Sequence, residues 1–388
     1  LDSLLSNAAV ERERTVILLV VNQPAADRWR GPEEEYLRAS SENRHTVQWL
    51  EEAPYADRLR LAWIDAATAG SELPGRGGVG SARKIGCDTA IEALNTGAWD
   101  PAGNAEDIPL VHLDADTIAV PGYLADVHRA YERCGKAGGA VHYEHRTAPP
   151  GPGQHAIDVY ELYLRAFVEG LRFAGSPYAF HTIGSTMVSS ARAYVRAGGI
   201  SAKKQAGEDF YFLQELAKTG GVAILANTTV YPSPRPSRRV PFGTGPRVAA
   251  WSGGADPRGA PVAYDAAVFD RLRALIAAVA ASARTRPDRL WTPLPQATTA
   301  FLREDGLPDL WNRFHEQYED PAQRTAAFHR WFDALRTVRF IHRLTETERP
   351  KVTVSRAWAD LAEREERHAP IHDVTALLNW TREHQRAW

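Results

Sequence analysis

The clearest chemical signal in the sequence is a pair of aspartates, Asp114 and Asp116, that directly follows a mostly apolar stretch ending at Leu113. Residues two apart on an extended chain point the same way, so we expect both carboxylates on one side. Neighbouring carboxylates repel unless a cation lies between them, and hard oxygen ligands suit Mg²⁺ or Mn²⁺. A solvated strand end with two surface acids explains the pattern about equally well, because Asp-x-Asp alone is weakly specific.

A second acidic pair, Glu208-Asp209, begins a helix that the spacing predicts over 207–221. Acidic side chains at a helix N-terminus cap it and complement its dipole, and capping is the better explanation of this pair taken alone. The alternative role is that of a general base directed into a cleft at the carboxyl edge of a sheet.

Three arginines, Arg235, Arg238 and Arg239, lie in a proline-rich loop that is closed by Gly243-Thr244-Gly245. Guanidinium groups bind phosphate oxygens two at a time, so this loop suits a diphosphate. A solvated basic loop is the alternative interpretation.

A glycine-rich turn at 77–80 precedes Arg83 and Lys84 at the start of a predicted helix. Such a turn can direct backbone N–H groups at a phosphate. Its spacing matches neither the P-loop nor the dinucleotide-binding fingerprint, and a plain helix-entry turn also explains it.

Histidine and cysteine carry little functional signal. The thirteen histidines form no His-Glu-x-x-His motif and the two cysteines form no Cys-x-x-Cys motif, which argues against a zinc site. Cys87 has no base paired with it in the sequence, so we interpret it as a small buried residue. Two cysteines in the chain fit a reducing compartment.

Composition narrows the classes of protein. A chain of 388 residues predicts two or three substructures, and 44% apolar residues can form a sizeable core. A formal net charge of −2 gives no chain-wide basic surface for nucleic acid. With no signal peptide and no apolar run of about 20 residues, we expect a soluble cytoplasmic protein of open oligomeric state. Peripheral membrane contact through C-terminal helices stays open.

Strands that alternate with helices must position these residues. Apolar runs predict strands over 15–24, 58–66, 108–116 and 137–145, and the first has the continuous character of a strand buried on both faces. Helical spacing over 78–94 lies between the second and third strands, and helical spacing over 121–135 lies between the third and fourth, which predicts an open α/β sheet.

Later segments follow the same logic until the composition changes. Helical spacing predicts a long helix over 157–175, an extended segment follows at 179–190, and a strand begins at 222. Helical spacing recurs within residues 262–388, including after a helix start at Asp320-Pro321, and we expect a helical region there.

Four segments, taken in order, resemble motifs of the family 2 glycosyltransferases of GT-A fold, and the resemblance spans about residues 1–247. They are GVGSARKIG (78–86), VHLDADTIAVPGYL (111–124), FHTIGSTMVSSARAYVRAGGI (180–200) and AGEDFYFLQELAKTGG (206–221). The resemblance implies a GT-A-like α/β catalytic domain over 1–250, with an open mixed sheet flanked by helices. Its nucleotide-sugar half would cover about 1–117 and its acceptor half about 118–250, with the C-terminal helical region outside it.

The resemblance also implies an inverting transfer of sugar from a nucleotide-diphosphate donor to a hydroxyl acceptor, which can be a glycan, a lipid-linked molecule or a small molecule. Asp114 and Asp116 would hold Mg²⁺ or Mn²⁺ on the donor diphosphate. Asp209, with Glu208 beside it, would deprotonate the acceptor. The residues expected to contact the donor are Asn22, Arg83, Lys84, Asp114, Arg235, Arg238 and Arg239.

The sequence departs from the family pattern in three places. The family opens with a central strand ending in a Pro-x-Tyr-Asn-Glu-like segment, whereas this chain begins at what would be the following helix. We therefore expect the natural protein to be longer at its N-terminus. The next strand ends in Asn22-Gln23-Pro24 instead of Asp-Asp-Gly-Ser, and Lys84 replaces an asparagine, so the donor nucleotide stays open.

Other functions fit parts of the pattern. A haloacid-dehalogenase-type phosphatase also uses Asp-x-Asp after an apolar strand, but Ile118 stands at the fifth position and the motif comes after two strands. A catalytically inactive carbohydrate-binding protein would not need both acidic pairs. A sugar-phosphate nucleotidyltransferase would need a different glycine-rich opening.

Overall fold

The computed structural model of this chain describes two compact units. The described residues are 1–29, 31–53, 55, 57–73, 78–100, 103–146, 152–201, 207–235, 248, 251 and 261–388. The first unit comprises residues 1–146 and 182–246 together with Trp388, and the second comprises 147–181 and 247–387.

Within its described residues, the first unit contains seven strands and the helices that connect them. Its strands are β1 (Val16–Asn22), β2 (Arg60–Ala66), β3 (Pro109–Val111), β4 (Ile118–Ala119), β5 (Gly138–Tyr143), β6 (Met187–Ser190) and β7 (Val222–Tyr231). Its α-helices are α1 (Asp2–Leu5), α2 (Ala9–Glu13), α3 (Glu33–Glu51), α4 (Val79–Asn95), α5 (Tyr123–Cys134), α7 (Ala191–Arg196) and α8 (Glu208–Gly220). Short 3₁₀ helices lie at Ala26–Arg28, Ala105–Asp107 and Gly184–Thr186.

Five of these strands form one mixed sheet in the order β3-β6-β5-β7-β4. The central strands β5 and β7 are parallel, and the β3–β6, β5–β6 and β4–β7 pairs are antiparallel. The expectation of an α/β fold with a mixed sheet is confirmed at this level.

Close packing at the centre of the sheet depends on two glycines of β5. A Cβ on Gly138 would lie 3.0 Å from Leu216 Cδ1 of α8, and one on Gly139 would lie 2.7 Å from Leu225 Cδ1 of β7. Every residue of β5 is buried. The bare backbone therefore lets α8 and β7 approach this strand.

The strands β1 and β2 form a separate parallel pair, with Val16 opposite Arg60 and Asn22 opposite Ala66. The prediction that β1 is buried on both faces is wrong: its residues are half-buried except for Val21. Within the described segments β1 pairs with β2 alone, so one of its edges lacks the neighbour that a central strand would have.

The second unit is a helical region that also contains two short strands. Its elements are α6 (Pro152–Phe173), β8 (Val262–Ala263), α9 (Ala266–Ala283), a 3₁₀ helix (Pro287–Leu290), α10 (Gln296–Glu304), α11 (Leu307–Gln317), α12 (Pro321–Trp331), α13 (Ala334–Thr347), β9 (Val352–Thr353), α14 (Val354–Arg364) and α15 (Val374–Arg386). The predicted helical C-terminal region is confirmed. The side chain of Asp320 accepts a hydrogen bond from the backbone N–H of Ala322 at 2.9 Å, as the Asp-Pro helix start predicts.

Helix α6 explains why the compact units differ from the predicted division at residue 250. The apolar face of α6 includes Val159, Leu162 and Ala166, and these side chains lie in the core that the C-terminal helices form. The indole N–H of Trp358 on α14 donates to the Leu162 carbonyl at 3.0 Å. Helix α6 therefore folds with the helical unit, because its hydrophobic face is buried there.

None of the helices in the described segments combines the length and the apolar character that crossing a bilayer requires.

Candidate functional site

Asp114 and Asp116 lie in a turn after β3, and not on an extended strand as predicted. The strand ends at Val111, and the backbone N–H of Thr117 donates to the Asp114 carbonyl at 2.9 Å, which closes the turn. Both side chains are 41% exposed. The turn lets the two carboxylates face different partners, which are Arg83 and Arg235.

Arg83, in the first turns of α4, joins the two acidic pairs. Its Nη2 contacts Asp114 Oδ1, and its Nη1 contacts Glu208 Oε1. The Arg83 side chain is 10% exposed and that of Glu208 is 4% exposed. Burial alone would lower the Arg83 pKa, but the carboxylates of Asp114 and Glu208 reverse this and raise it. The guanidinium therefore remains a cation between two acids that are distant in the sequence.

Two glycines leave the space in which this arrangement fits. A Cβ on Gly184 would lie far inside van der Waals contact of the Arg83 guanidinium, and one on Gly80 would lie 3.0 Å from Glu208 Cβ. The sequence alone predicts an extended segment over 179–190 and indicates no role for Gly184. The available signal is a glycine inside an extended run, which often marks a close approach of another group.

The second acidic pair begins α8, where its two members have different surroundings. Glu208 is buried against Arg83, whereas Asp209 is half-buried and its Oδ1 accepts from the backbone N–H of Phe210 at 2.7 Å. Burial, reinforced by the neighbouring Glu208 charge, raises the pKa of Asp209 to about 6. Gly207 is the N-cap residue and has no side chain to cap the helix. A carboxylate whose pKa is raised towards neutrality is better suited to the role of a general base than to that of a helix cap.

Arg235 lies at the other aspartate, with its Nη2 2.9 Å from Asp116 Oδ2. The Arg235 side chain is 58% exposed, so this ion pair is accessible to solvent. Arg238 and Arg239, together with Gly243-Thr244-Gly245, lie outside the described residues.

Two further residues expected at the donor have local partners in the structure. Lys84 contacts Asp88, one turn later on α4, and Asp88 also accepts from the Tyr194 hydroxyl at 2.8 Å. Asn22 donates to the Val20 carbonyl at 3.2 Å within β1. The structure therefore brings Arg83, Asp114 and Glu208 together directly, whereas Lys84 contacts Asp88 and Asn22 contacts Val20.

Cys87 and His112 lie near Arg83, and neither side chain is ionised at neutral pH. The Cys87 Sγ is 3.8 Å from His112 Nε2, and both residues are buried. Burial raises the pKa of the Cys87 thiol to about 12 and lowers the pKa of His112 to about 3. A neutral thiol beside a neutral imidazole does not form a nucleophilic pair, which agrees with the interpretation of Cys87 as a small buried residue.

The acidic turn has the donor chemistry of a hard-cation site. Asp114 and Asp116 are accessible carboxylates, and each already attracts a cationic side chain. Mg²⁺ typically binds one or two protein carboxylates and completes its shell with water and substrate phosphates. The two aspartates fit that pattern, with the remaining ligands left to a diphosphate and water.

A different group of three possible metal ligands lies in the second unit: Glu169, Glu365 and His384. Arg172 contacts both glutamates, and Arg367 contacts His384. Its charges are therefore balanced by arginines, and the group joins α6, the end of α14 and α15 as an ionic cluster.

The comparisons with known proteins gave no relative: no family model, no curated protein and no solved structure matches this chain.

Proposed function

We propose that this chain is an inverting, metal-dependent glycosyltransferase that moves a sugar from a nucleotide-diphosphate donor to a hydroxyl acceptor. One observation carries the proposal: a buried arginine joins an accessible Asp-x-Asp turn to an acidic helix start whose second carboxylate has a raised pKa. A hard-cation site beside a carboxylate poised to take a proton is what such a transfer needs. The order of the four motifs and the mixed sheet support a GT-A-like fold.

Asp209 would act as the base. Its pKa of about 6 leaves it mostly ionised at neutral pH and still basic enough to accept a proton from the acceptor hydroxyl. As that proton moves to the Asp209 carboxylate, the hydroxyl oxygen bonds to the anomeric carbon of the donor sugar. The bond from that carbon to the diphosphate oxygen breaks, and the nucleoside diphosphate leaves with the electron pair. Attack opposite the leaving group inverts the anomeric centre.

Asp114 and Asp116 would hold Mg²⁺ or Mn²⁺, which when bound supplies positive charge beside the leaving diphosphate. Arg235 already lies at Asp116 and is exposed. We infer that it exchanges this carboxylate for a diphosphate oxygen when the donor binds, because guanidinium binds phosphate at least as readily as carboxylate. Arg238 and Arg239 follow shortly after Arg235 in the sequence and are proposed for the same purpose.

A donor screen tests this proposal. Purified protein is incubated with UDP-, GDP- and dTDP-sugars and Mn²⁺, and nucleotide release is measured. We expect release with one of the donors and its loss in Asp116→Ala and Asp209→Asn, while Asp57→Asn, at an exposed aspartate before β2, stays at the wild-type rate.

The alternatives predict different results in the same screen. Phosphate release without donor dependence would support a phosphatase and contradict the transferase. Binding of a nucleotide-sugar without turnover would support a carbohydrate-binding protein.

A further inference from the structure

We propose that Arg83 is a positioning residue that sets the distance and orientation between the metal-side carboxylate Asp114 and the base-side helix start at Glu208, and that it does not itself bind the donor. This inference rests on the proposed function, which assigns Asp114 to the metal and the helix start at Glu208 to the base. It replaces the donor contact that the sequence resemblance implies for Arg83.

Arg83 contacts two carboxylates at once. Its two terminal nitrogens contact different carboxylates, Nη2 contacting Asp114 and Nη1 contacting Glu208. The guanidinium group is planar, and its N–H groups form a rigid fork. The spacing of the two carboxylates is therefore set by the geometry of one rigid group, and both terminal nitrogens already have a carboxylate partner.

Arg83 is also buried and closely surrounded. The Arg83 side chain is 10% exposed, so its guanidinium offers little surface to a ligand from solution. Gly184 lies against it so closely that even a methyl group would displace it. Gly80 likewise admits the Glu208 side chain, with 3.0 Å between its ideal Cβ position and Glu208 Cβ. The chain therefore keeps two positions without side chains around this one ion-pair system.

The consequence for the site follows from where the two carboxylates lie. Asp114 is in a turn, and a turn holds its side chains less firmly than a sheet does. Glu208 immediately precedes Asp209 in the first turn of α8. By holding both acids, Arg83 orients a proposed metal ligand and fixes the helix start that presents the proposed base. Partners that hydrogen-bond to a metal-binding carboxylate typically change metal affinity 10- to 100-fold when they are lost.

A matched pair of glycine variants tests the role of Arg83 without using activity. Gly184→Ala displaces the guanidinium, whereas Gly103→Ala adds the same methyl group where no atom lies within 4 Å. The dissociation constant for Mn²⁺ is measured by electron paramagnetic resonance of the free ion. We expect it to rise about 10-fold in Gly184→Ala and to stay at the wild-type value in Gly103→Ala.

A spectroscopic signature tests the ion pairs themselves. In the metal-free protein, the Arg83 guanidinium should give resolved ¹H–¹⁵N signals that exchange slowly with water, because both terminal nitrogens are held. When pyrophosphate and Mg²⁺ are added, the chemical shifts of the Arg83 signals should change no more than those of other buried groups. Glu208→Gln, which conserves volume, should shift them and also weaken Mn²⁺ binding, although Glu208 is not a proposed ligand. It serves in place of Gly184→Ala if that variant does not fold.

Three results would overturn the inference: rapid exchange of the Arg83 signals in the metal-free protein, a large shift on adding pyrophosphate, or tighter Mn²⁺ binding in Gly184→Ala. The last result would identify Arg83 as a competitor for Asp114. Failure of the wild-type protein to bind Mn²⁺ would instead contradict the proposed function, and the exchange of the Arg83 signals would still decide whether the two acids are held.

Discussion

At the scale of single residues, the candidate site gives two adjacent acids different surroundings. Glu208 is buried against Arg83, whereas Asp209 has a pKa raised to about 6 by burial and by the Glu208 charge. Adjacent carboxylates with different surroundings can take different acid–base roles. The sequence shows the pair but not this division, because the division depends on Arg83, which lies far away in the chain.

The raised pKa of Asp209 predicts a pH-dependent stability cost. Between the unfolded pKa of about 3.9 and the folded pKa of about 6, the folded state binds more protons, so stability falls as pH rises through this window. Above it, the ionised group costs about 1–3 kcal/mol, because one pKa unit corresponds to about 1.4 kcal/mol. Asp209→Asn should therefore stabilise the protein by that amount at pH 8 and by almost nothing at pH 4.

Urea denaturation of Asp209→Asn and wild type at the two pH values measures this difference. Asparagine can still accept from the Phe210 N–H, so the local hydrogen bond is conserved. Equal stabilisation at pH 4 and pH 8 would contradict the assigned pKa shift.

At the scale of elements, local patterns predicted several helices and strands but not α3 (Glu33–Glu51). The helix starts at Asp320 and Glu208, and the strands β1, β2 and β5, follow from periodicity and capping residues within each segment. The end of β3 at Val111 was not predictable, because a backbone hydrogen bond closes the Asp114 turn where the side-chain pattern still favours a strand. The half-burial of β1 depends on its neighbours in the sheet, which no local pattern encodes.

The glycines of β5 give a prediction at this scale. Gly139→Ala would place a methyl group 2.7 Å from Leu225 Cδ1 and 3.4 Å from Val188 Cβ, inside the buried centre of the sheet. Overpacking of this kind typically costs about 1–3 kcal/mol, so the free energy of unfolding should fall by that amount. The same substitution at Gly103 meets open space and should change it by less than about 0.5 kcal/mol. Chemical denaturation of both variants makes the comparison, and equal stabilities would contradict the packing of β5.

At the scale of the whole molecule, the chain divides into an α/β unit and a helical unit, and helix α6 belongs to the second. Sequence order places α6 between predicted α/β elements, and its apolar face alone does not say which core receives it. Only the long-range contacts of Val159 and Leu162 with the C-terminal helices decide that. The helical unit also contains a buried ion-pair system that the sequence did not indicate.

That buried system gives the prediction for the helical unit. Glu161 accepts from Arg165 Nε at 2.9 Å and from Arg382 Nε at 2.7 Å, and Glu161 and Arg165 are fully buried. Glu161→Gln keeps the shape but leaves the two guanidinium groups without this charge, so we expect a loss of about 3–5 kcal/mol. Asp288→Asn, in the exposed pair with Arg286, should cost less than about 1 kcal/mol. Thermal unfolding of both variants compares them, and similar midpoints would show that the buried pairs contribute little.

The most direct test of the central claim is the pH dependence of nucleotide release from an activated sugar donor, with Mn²⁺, in wild type and Asp209→Asn. The claim predicts release that rises about tenfold per pH unit below about pH 6 and levels off above it, because Asp209 must be ionised to accept the proton. In Asp209→Asn the rate should fall about 10²- to 10⁴-fold and lose this pH dependence. Release that Asp209→Asn leaves unchanged, or no release from any nucleotide-sugar, would contradict the assignment of this site as a glycosyltransferase centre.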